Sequence, residues 1–254
     1  MAADRKDRIR KLLKGIESGD PTSVEVVNEN RYIQHNPQTH EGSEGLAALF
    51  KRLSKTSPRV NIVRAFEDGD YVFAHTEYDF EHSNIGFEIF RFEDNQAVEH
   101  WDNIQRRKGP NASGHSMIDG VTEVSDLELT EHNRTLIKNY VDEILLQRKF
   151  GRLDQYVHPQ SFTQHNPVLT DGISALREAL EHKSENHYQL TYQKRHMVLA
   201  EGNFVLSVCE GLQDGVPTSF FDLYRLSEGL IVEHWDTIEA IPPRSEWKNE
   251  NGKF

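Results

Sequence analysis

The chain repeats itself, and this repetition limits what it can fold into more than any other feature. VEHWDNI at residues 98–104 returns as VEHWDTI at residues 232–238, and QHNP at residues 34–37 returns at residues 164–167. Between these blocks, EDGDYVF and FEIFRF of the first half match AEGNFVL and FDLYRL of the second, in the same order. Since a solenoid unit would recur every ~20 to 50 residues, we interpret the pattern as a duplicated domain.

A linker is predicted between the two copies. Residues 108–126, KGPNASGHSMIDGVTEVSD, are rich in Gly, Pro, Asn and Ser and interrupt the periodic apolar pattern. This places the first repeat at residues 1–107 and the second at residues 127–254. Each repeat is then close to the commonest domain size.

Each half begins with helical patterns and continues with strands. Apolar residues at helical spacing predict helices at residues 4–16 and 131–147, and shorter helices after each QHNP. Aromatic and β-branched runs around DG and EG turns predict strands that end in VEHWD. The short helices are predicted at residues 43–53 and 173–182. The strands of the first half that precede VEHWD are predicted at residues 60–66, 71–80 and 86–92. Helices followed by antiparallel strands predict an α+β domain, whose curved sheet can enclose a cavity.

Charge and cysteine content exclude some functions. Lys and Arg number 29 against 41 Asp and Glu, a formal net charge of −12, which argues against nucleic acid or an anionic membrane as the partner. Cys209 is the single cysteine, so no intrachain disulfide is possible. Without a secretory signal or a membrane-spanning apolar run, we expect a cytoplasmic protein.

The VEHWD motif offers the first candidate catalytic groups. Side chains alternate along a strand, so His100 and Asp102 share one face and Trp101 lies on the other. His234 and Asp236 repeat the arrangement in the second half. A histidine and an aspartate on a concave face form a plausible acid/base pair, and burial would raise the pKa of the aspartate. The alternative is a hydrogen-bonded brace at the sheet edge.

QHNP supplies a second pair of candidates. Because proline disfavours helix at the residue before it, His35 and His165 are expected on extended or turning backbone, with side chains that could enter the cavity. The titration range of histidine suits proton transfer there. A capping or structural role is the alternative.

Two further strands carry acidic groups that would contact a substrate. His75 and Glu77 alternate onto one face of the middle strand, and the second half aligns Glu210 with Glu77. Glu88 and Asp222 stand among aromatic residues on the next strand, as pocket carboxylates or as partners of a nearby arginine. Aromatic side chains complete the expected substrate-binding set: Phe90, Trp101, Tyr224 and Trp235.

The chain has no Gly-rich phosphate loop, CxxC pair or HExxH motif, so we expect no cofactor and no metal. A metal-dependent enzyme is a minority alternative, because His35, His100 and Asp102 could supply a mixed nitrogen and oxygen coordination set.

These motifs resemble the SnoaL-like branch of the NTF2-like superfamily. The resemblance rests on YIQHNP, FEIFRF and VEHWDNIQ in the first half and on FTQHNP, FDLYRL and VEHWDTIEAIPP in the second. The chain is most similar to those members that are identified as predicted aldol-condensation enzymes. It implies two tandem cone-shaped barrels, each a curved antiparallel sheet with helices packed on it, around an apolar pocket. Polyketide cyclases and ketosteroid isomerase are relatives, and in the SnoaL type the acid/base group is a pocket aspartate, matched here by Asp102 and Asp236.

The resemblance therefore implies a cofactor-independent enzyme, a lyase or isomerase, that removes a proton next to a carbonyl of an apolar small molecule. Asp102 and Asp236 would be the bases, and four histidines would orient them or stabilise an enolate: His35, His100, His165 and His234. The alternative is a non-catalytic protein that holds an apolar ligand in the same pocket.

Sheet-to-sheet dimers are common among such proteins, so the tandem copy also implies an intrachain pseudo-dimer, or a homodimer of pseudo-dimers. Trp101 and Trp235, on the outward strand faces, would suit that interface.

Overall fold

The computed structural model describes residues 4–28, 30–53, 55, 58–79, 82–181 and 189–254, without the side chain of Ser43. The chain forms two compact units: unit 1 comprises Met1–Arg107 together with Pro242–Phe254, and unit 2 comprises Lys108–Ile241. We call Pro242–Phe254 the return segment. The predicted linker thus lies inside unit 2, and the end of the predicted second repeat lies inside unit 1.

Unit 1 begins with an amphipathic helix. The carboxylate of Asp4 caps its start by accepting a hydrogen bond from the Lys6 amide, and Gly19, with φ of 65°, ends it in the left-handed region. The elements of unit 1 are α1 (Arg5–Ser18), a 3₁₀ turn (Pro21–Val26), β1 (Ile33–Gln34), α2 (Gly42–Leu53), β2 (Arg59–Asp68), β3 (Tyr71–Asp79), β4 (Ser83–Glu93) and β5 (Gln96–Arg106).

The strands of unit 1 form a five-stranded sheet in the order β1-β5-β4-β3-β2. Neighbours from β5 to β2 are antiparallel hairpins, whereas β1 pairs with β5 in parallel. One face of the sheet and the two helices bury a common core. Its members include Ile9, Leu12, Phe50, Val72, Ala74, Tyr78 and Phe90.

Unit 2 repeats this plan. Its elements are α3 (Thr130–Tyr140), which continues as a π-helical turn (Val141–Leu146), a 3₁₀ turn (Phe150–Gln155), β6 (Thr163–Gln164), α4 (Ile173–Leu180), β7 (Leu190–Glu201), β8 (Phe204–Gln213), β9 (Val216–Ser227) and β10 (Leu230–Ala240). The sheet order is β6-β10-β9-β8-β7, again with one parallel pair at the β6 edge. The identical topology confirms the predicted α+β class and the duplication.

The predicted helices and hairpins are present, and two terminal residues of these predictions, Phe80 and His182, lie outside the described residues. The two short parallel strands were not predicted. In the described part of the chain, no helix combines the length and the apolar character that crossing a bilayer requires.

Candidate functional site

In unit 2, one face of the sheet brings three ionisable side chains together. Asp236 lies opposite Asp222 in the β10–β9 register, and His234 lies opposite Tyr224. Because paired residues share a face, all four side chains point to the same side of the sheet. Asp222, His234 and Asp236 are each buried, and one ligand-type atom of each lies within 4.8 Å of the others.

His234 is held through both ring nitrogens. Gln164 Oε1 accepts from the Asn166 amide at 2.9 Å, and the same oxygen lies 3.0 Å from His234 Nδ1. His234 Nδ1 must therefore donate, which leaves Nε2 facing Asp222 Oδ1 at 3.0 Å. Burial lowers the pKa of His234, but its hydrogen bond to Asp222 and the charges of Asp222 and Asp236 outweigh burial and raise it.

Asp236 combines a fixed oxygen with a free one. Asn166 Nδ2 donates to Asp236 Oδ2 at 2.6 Å, whereas Oδ1 is buried without a hydrogen-bond partner among the described residues. Burial is the main cause that raises the pKa of Asp236 to about 6, and the charge of Asp222 adds to it. A carboxyl group with a pKa near neutrality and an unpaired oxygen is suited to exchanging a proton with a ligand.

These groups line a small, mainly apolar cavity. Its volume, as space for the centre of a water molecule, is about 20 Å³, on the order of one water. Its polar lining consists of Tyr140, Tyr192, Tyr224, Asp222, His234 and Asp236, and the rest is apolar, such as Leu169, Leu176 and Ile231. Burial raises the pKa of the tyrosine hydroxyls, so they remain hydrogen-bond donors at neutral pH.

Unit 1 builds the same constellation. His100 Nε2 lies 2.7 Å from Glu88 Oε2, and His100 Nδ1 lies 3.0 Å from Gln34 Oε1. Asn36 Nδ2 donates to Asp102 Oδ2 at 2.6 Å, and Phe90 stacks on the His100 ring at 4.4 Å. Glu88 thus replaces the shorter Asp222.

Two side chains distinguish unit 1 from unit 2. Lys253 of the return segment is buried, and its Nζ donates to the backbone oxygen of Asp102 at 2.8 Å and lies 3.7 Å from Asp102 Oδ1. Tyr32, whose place in the second half is taken by Phe162, has a buried hydroxyl with no hydrogen-bond partner among the described residues. Asp102 Oδ1 therefore faces a cation, whereas no lysine or arginine among the described residues forms an ion pair with Asp236.

The placement of His35 and His165 contradicts the sequence-based interpretation. Gln34 pairs with His100 in the parallel β1–β5 register, so alternation directs Gln34 toward the site and His35 to the opposite face. The His35 ring stacks on Trp101 at 4.7 Å and contacts Glu99 Oε1 at 3.0 Å. His165 does the same with Trp235 and Glu233, at 4.6 Å and 2.9 Å. Neither histidine reaches the acid/base groups.

Five proposed substrate contacts also lie on the wrong face. His75 pairs with Phe87, which pairs with Asn103, so its face is opposite to that of Glu88 and Asp102. The same alternation removes the others from the site: Glu77, Trp101, Glu210 and Trp235. Glu77 pairs with Arg107, and Glu210 lies 3.3 Å from His196. Of the proposed substrate-binding residues, the structure brings Glu88, Phe90, Asp222 and Tyr224 to the site.

Sequence reasoning overlooked the amides that hold the site. Gln34, Asn36, Gln164 and Asn166 all come from QHNP, and their repetition in both halves was the available signal. Tyr78 and Tyr192 were also missed: Tyr78 donates to Glu88 at 2.6 Å and Tyr192 to Asp222 at 3.1 Å. Tyr78 lies on β3 and Tyr192 on β7, and these strands hold different positions in the two sheets. The two tyrosines therefore do not align in the repeat, and the sequence carries no signal that both donate to a site carboxylate.

The metal set proposed as a minority alternative does not form, because His35 lies across the sheet from His100 and Asp102. The clusters that the described residues offer instead are Glu88, His100 and Asp102; Asp222, His234 and Asp236; and His115, Asp119 and His165.

Part of the chain is similar to known proteins. Residues 9–100 match the SnoaL-like domain family. Among curated proteins no sequence matches. Solved structures similar to part of the chain include TsrD from Streptomyces laurentii, with 21% identity, 41% of this chain and 90% of that chain covered, and a TM-score of 0.37.

Two further structures are similar to the same extent. IdmH from Streptomyces antibioticus, a polyketide cyclase candidate, has 16% identity over 40% of this chain and 92% of its own, with a TM-score of 0.36. An LEH-like epoxide hydrolase from M. tuberculosis has 16% identity over 40% of this chain and 82% of its own, with a TM-score of 0.35. At these identities and TM-scores the likenesses carry no information about activity.

Proposed function

We propose that this chain, which holds a SnoaL-like domain at residues 9–100 and repeats its topology in unit 2, is a small-molecule enzyme that removes a proton from carbon next to a carbonyl. Asp236 is the general base. The main support is that Asp236 Oδ1 is buried without a hydrogen-bond partner among the described residues. The carboxyl group lines a mainly apolar cavity, and its pKa is about 6.

The proposed step moves one proton and one electron pair. Asp236 Oδ1 takes the proton, and the electrons of the broken C–H bond form the enolate, with its charge on the carbonyl oxygen. Tyr140 and Tyr224 line the cavity as protonated hydroxyls and can donate to that oxygen. The enolate carbon then attacks a second carbonyl, as in an aldol condensation, or takes the proton back at another carbon, as in an isomerisation.

Asp222 and His234 act as positioning residues in this proposal. The His234 ring contacts the Asp222 carboxylate through Nε2 and donates to Gln164 through Nδ1. These two contacts keep His234 fixed beside Asp236. The charge of Asp222 also helps to raise the pKa of Asp236. The pair therefore tunes the base without contacting the ligand's reacting carbon.

Unit 2 is proposed as the working site and unit 1 as its diverged copy. The oxygen that is free in Asp236 corresponds to Asp102 Oδ1, which lies 3.7 Å from Lys253 Nζ. Asp102 Oδ1 also has no hydrogen-bond partner among the described residues, but the neighbouring ammonium of Lys253 would compete with a substrate for it.

Hydrogen exchange into D₂O tests the proposal without knowledge of the natural substrate. The cavity has room for about one water, so a ketone must widen it to bind. Acetone, cyclohexanone and 2-tetralone therefore serve as probes of increasing size, and ¹H NMR follows loss of the protons next to the carbonyl. We expect exchange with at least one probe, reduced about 100-fold or more in Asp236→Asn. Asp102→Asn is the matched control and should retain the activity.

The pH profile provides a second readout. Since the base acts only when deprotonated, kcat/KM should fall about tenfold per pH unit below a pKa of about 6 for Asp236. Exchange that persists in Asp236→Asn, or that stays constant down to pH 4, would contradict the assignment.

A non-catalytic binding protein is the second candidate, favoured by the predominantly apolar lining of the cavity. It predicts that a probe ketone binds and shifts resonances of the cavity residues, while its exchange rate equals the rate in buffer alone.

A further inference from the structure

The reverse side of β6 and β10 is covered by a loop of unit 2 that follows β5 in the chain. Asn111 Nδ2 donates to the backbone oxygen of Gln164 at 2.6 Å, and Trp235 Nε1 donates to the backbone oxygen of Asp119 at 2.9 Å. The loop therefore brings its own polar side chains against His165, on the face opposite Asp236.

His165 is buried in a setting that offers its ring only acceptors. Nε2 lies 2.9 Å from Glu233 Oε1, and Nδ1 lies 2.8 Å from the backbone oxygen of Ser116 and 2.7 Å from Asp119 Oδ1. Carbonyl and carboxylate oxygens cannot donate, so Nδ1 must either carry a proton or give its lone pair to a cation. With Nε2–H directed at Glu233, the second case is the carboxylate–histidine–metal arrangement of metalloproteins.

Glu233, which contacts His165 Nε2, is itself held in place. Arg225 Nε lies 2.5 Å from Glu233 Oε2, the oxygen that His165 does not use. The two oxygens of Glu233 therefore contact Arg225 and His165 separately, which holds the His165 ring in one orientation.

Two further ligand-type side chains reach the same point. His115 is partly exposed and Asp119 is exposed, and one ligand-type atom from each of His115, Asp119 and His165 lies within 4.8 Å of the others. Asp171 Oδ2 is 3.1 Å from His115 Nε2 and supplies a nearby carboxylate. Two imidazoles with one or two carboxylates suit zinc and other first-row divalent cations.

We propose that His115, Asp119 and His165 bind a first-row divalent cation such as Zn²⁺, with Asp171 next to His115. The bound cation joins the loop to β6 through the Nδ1 lone pair of His165. This site is separate from the acid/base site, because its residues lie across the sheet from Asp236.

Unit 1 shows why the site belongs to unit 2. His35 Nε2 contacts the carboxylate of Glu99, as His165 Nε2 contacts that of Glu233. His35 Nδ1, however, faces the backbone oxygen of Gly252 at 3.1 Å. The sequences NASGHS and NENGKF differ at the decisive position, where Lys253 stands in place of His115. Within the described residues, no cluster of metal-ligating side chains includes His35.

Isothermal titration calorimetry of the full chain with ZnCl₂, without an affinity tag, tests the proposal. We expect one Zn²⁺ per chain, and His115→Ala and Asp119→Asn should each weaken binding tenfold or more. Both side chains are partly or fully exposed, so these variants retain the buried His165. His132→Ala removes an exposed histidine of α3 and is the control, expected to bind like the unaltered chain.

Absence of Zn²⁺ binding, an affinity of His115→Ala and Asp119→Asn that is unchanged from the unaltered chain, or an equal loss in His132→Ala would each overturn the proposal. Ketone exchange by the same samples reports on Asp236 independently.

Discussion

At the scale of single residues, Asp236 shows how one environment can favour chemistry and oppose folding. The carboxyl is buried beside Asp222, so its ionised form is disfavoured and its pKa rises from 3.8 to about 6. The unfolded chain would keep the ordinary value. At neutral pH, folding must therefore accommodate a charge that water would solvate better.

Because burying the ionised Asp236 carboxylate destabilises the folded protein, we predict that Asp236→Asn stabilises the protein at high pH. The folded state binds the proton more tightly than the unfolded state, so the protonated carboxyl favours folding below pH 3.8, and this advantage is lost as pH rises through about 6. Two pKa units correspond to about 3 kcal/mol. We expect the variant to gain about 1 to 3 kcal/mol at pH 8 and almost nothing at pH 3.5, measured by urea unfolding.

Asp154→Asn, which alters an exposed carboxyl, is the control for this measurement. A variant that is no more stable at pH 8 than at pH 3.5 would show that Asp236 is not ionised at a cost in the folded protein.

At the scale of the elements, local patterns predicted more than long-range pairing did. Helices, hairpins and the last strand follow from apolar periodicity and turn residues, all of which act within a few residues. β1 and β6 form only because QHNP meets a strand more than sixty residues further along the chain, as Gln34 meets His100. That parallel pairing decides which side chains of QHNP enter the site, so the sequence could name the motif but not its orientation.

Alternation within VEHWD was sufficient to place His100 and Asp102 together, and His234 and Asp236 together. It could not identify Tyr78 and Tyr192, which reach equivalent carboxylates from strands on different positions of the two sheets. Lys253 was equally hidden, because the return segment shows no periodic pattern and its partner, Asp102, belongs to the other half of the sequence.

The N-x-x-G turns that follow each last strand predict a matched pair of destabilising variants. Asn249 Nδ2 donates to the backbone oxygens of Asn36 and Thr39, as Asn111 does to that of Gln164. Asn249→Ala and Asn111→Ala should each leave buried acceptors unsatisfied and cost about 1 to 3 kcal/mol.

Hydrogen exchange measured by mass spectrometry should locate the first effect in unit 1 and the second in unit 2. Asn139→Ala, on the exposed side of α3, should change the free energy of unfolding by less than about 0.5 kcal/mol. Equal effects of all three substitutions would show that the N-x-x-G turns do not anchor the QHNP strands.

At the scale of the whole molecule, the chain leaves unit 1 at Arg107, builds unit 2, and re-enters unit 1 at Pro242. The duplication predicted two continuous repeats, residues 1–107 and 127–254, joined by a linker at residues 108–126. Contacts within the fold instead give the segment after each last strand to the unit built mainly from the other half. Unit 1 therefore combines the first repeat with the end of the second, and unit 2 combines the predicted linker with the rest of the second repeat.

Deletion of Pro242–Phe254 should weaken unit 1 selectively. Its sheet would lose the hydrogen bonds of Asn249 with Asn36, of Asn251 with Gln34 and of Lys253 with Asp102. We expect a loss of about 2 to 5 kcal/mol in unit 1, seen as faster amide exchange in β1 and β5 while β6 and β10 are unchanged.

A synthetic peptide of residues 242–254, added in excess, should restore the protection, since a ligand that binds only the folded state stabilises it. Unchanged exchange of β1 and β5 after the deletion would show that unit 1 is complete without the return segment.

The return segment also sets an order for biosynthesis. Domains generally fold as they emerge from the ribosome, the first-made before the later. Here residues 1–107 emerge first but lack Pro242–Phe254, whereas unit 2 has its whole sequence once Ile241 has emerged. Translation therefore completes the second unit before the first, because the nascent first unit lacks Pro242–Phe254 until after Ile241 has been made.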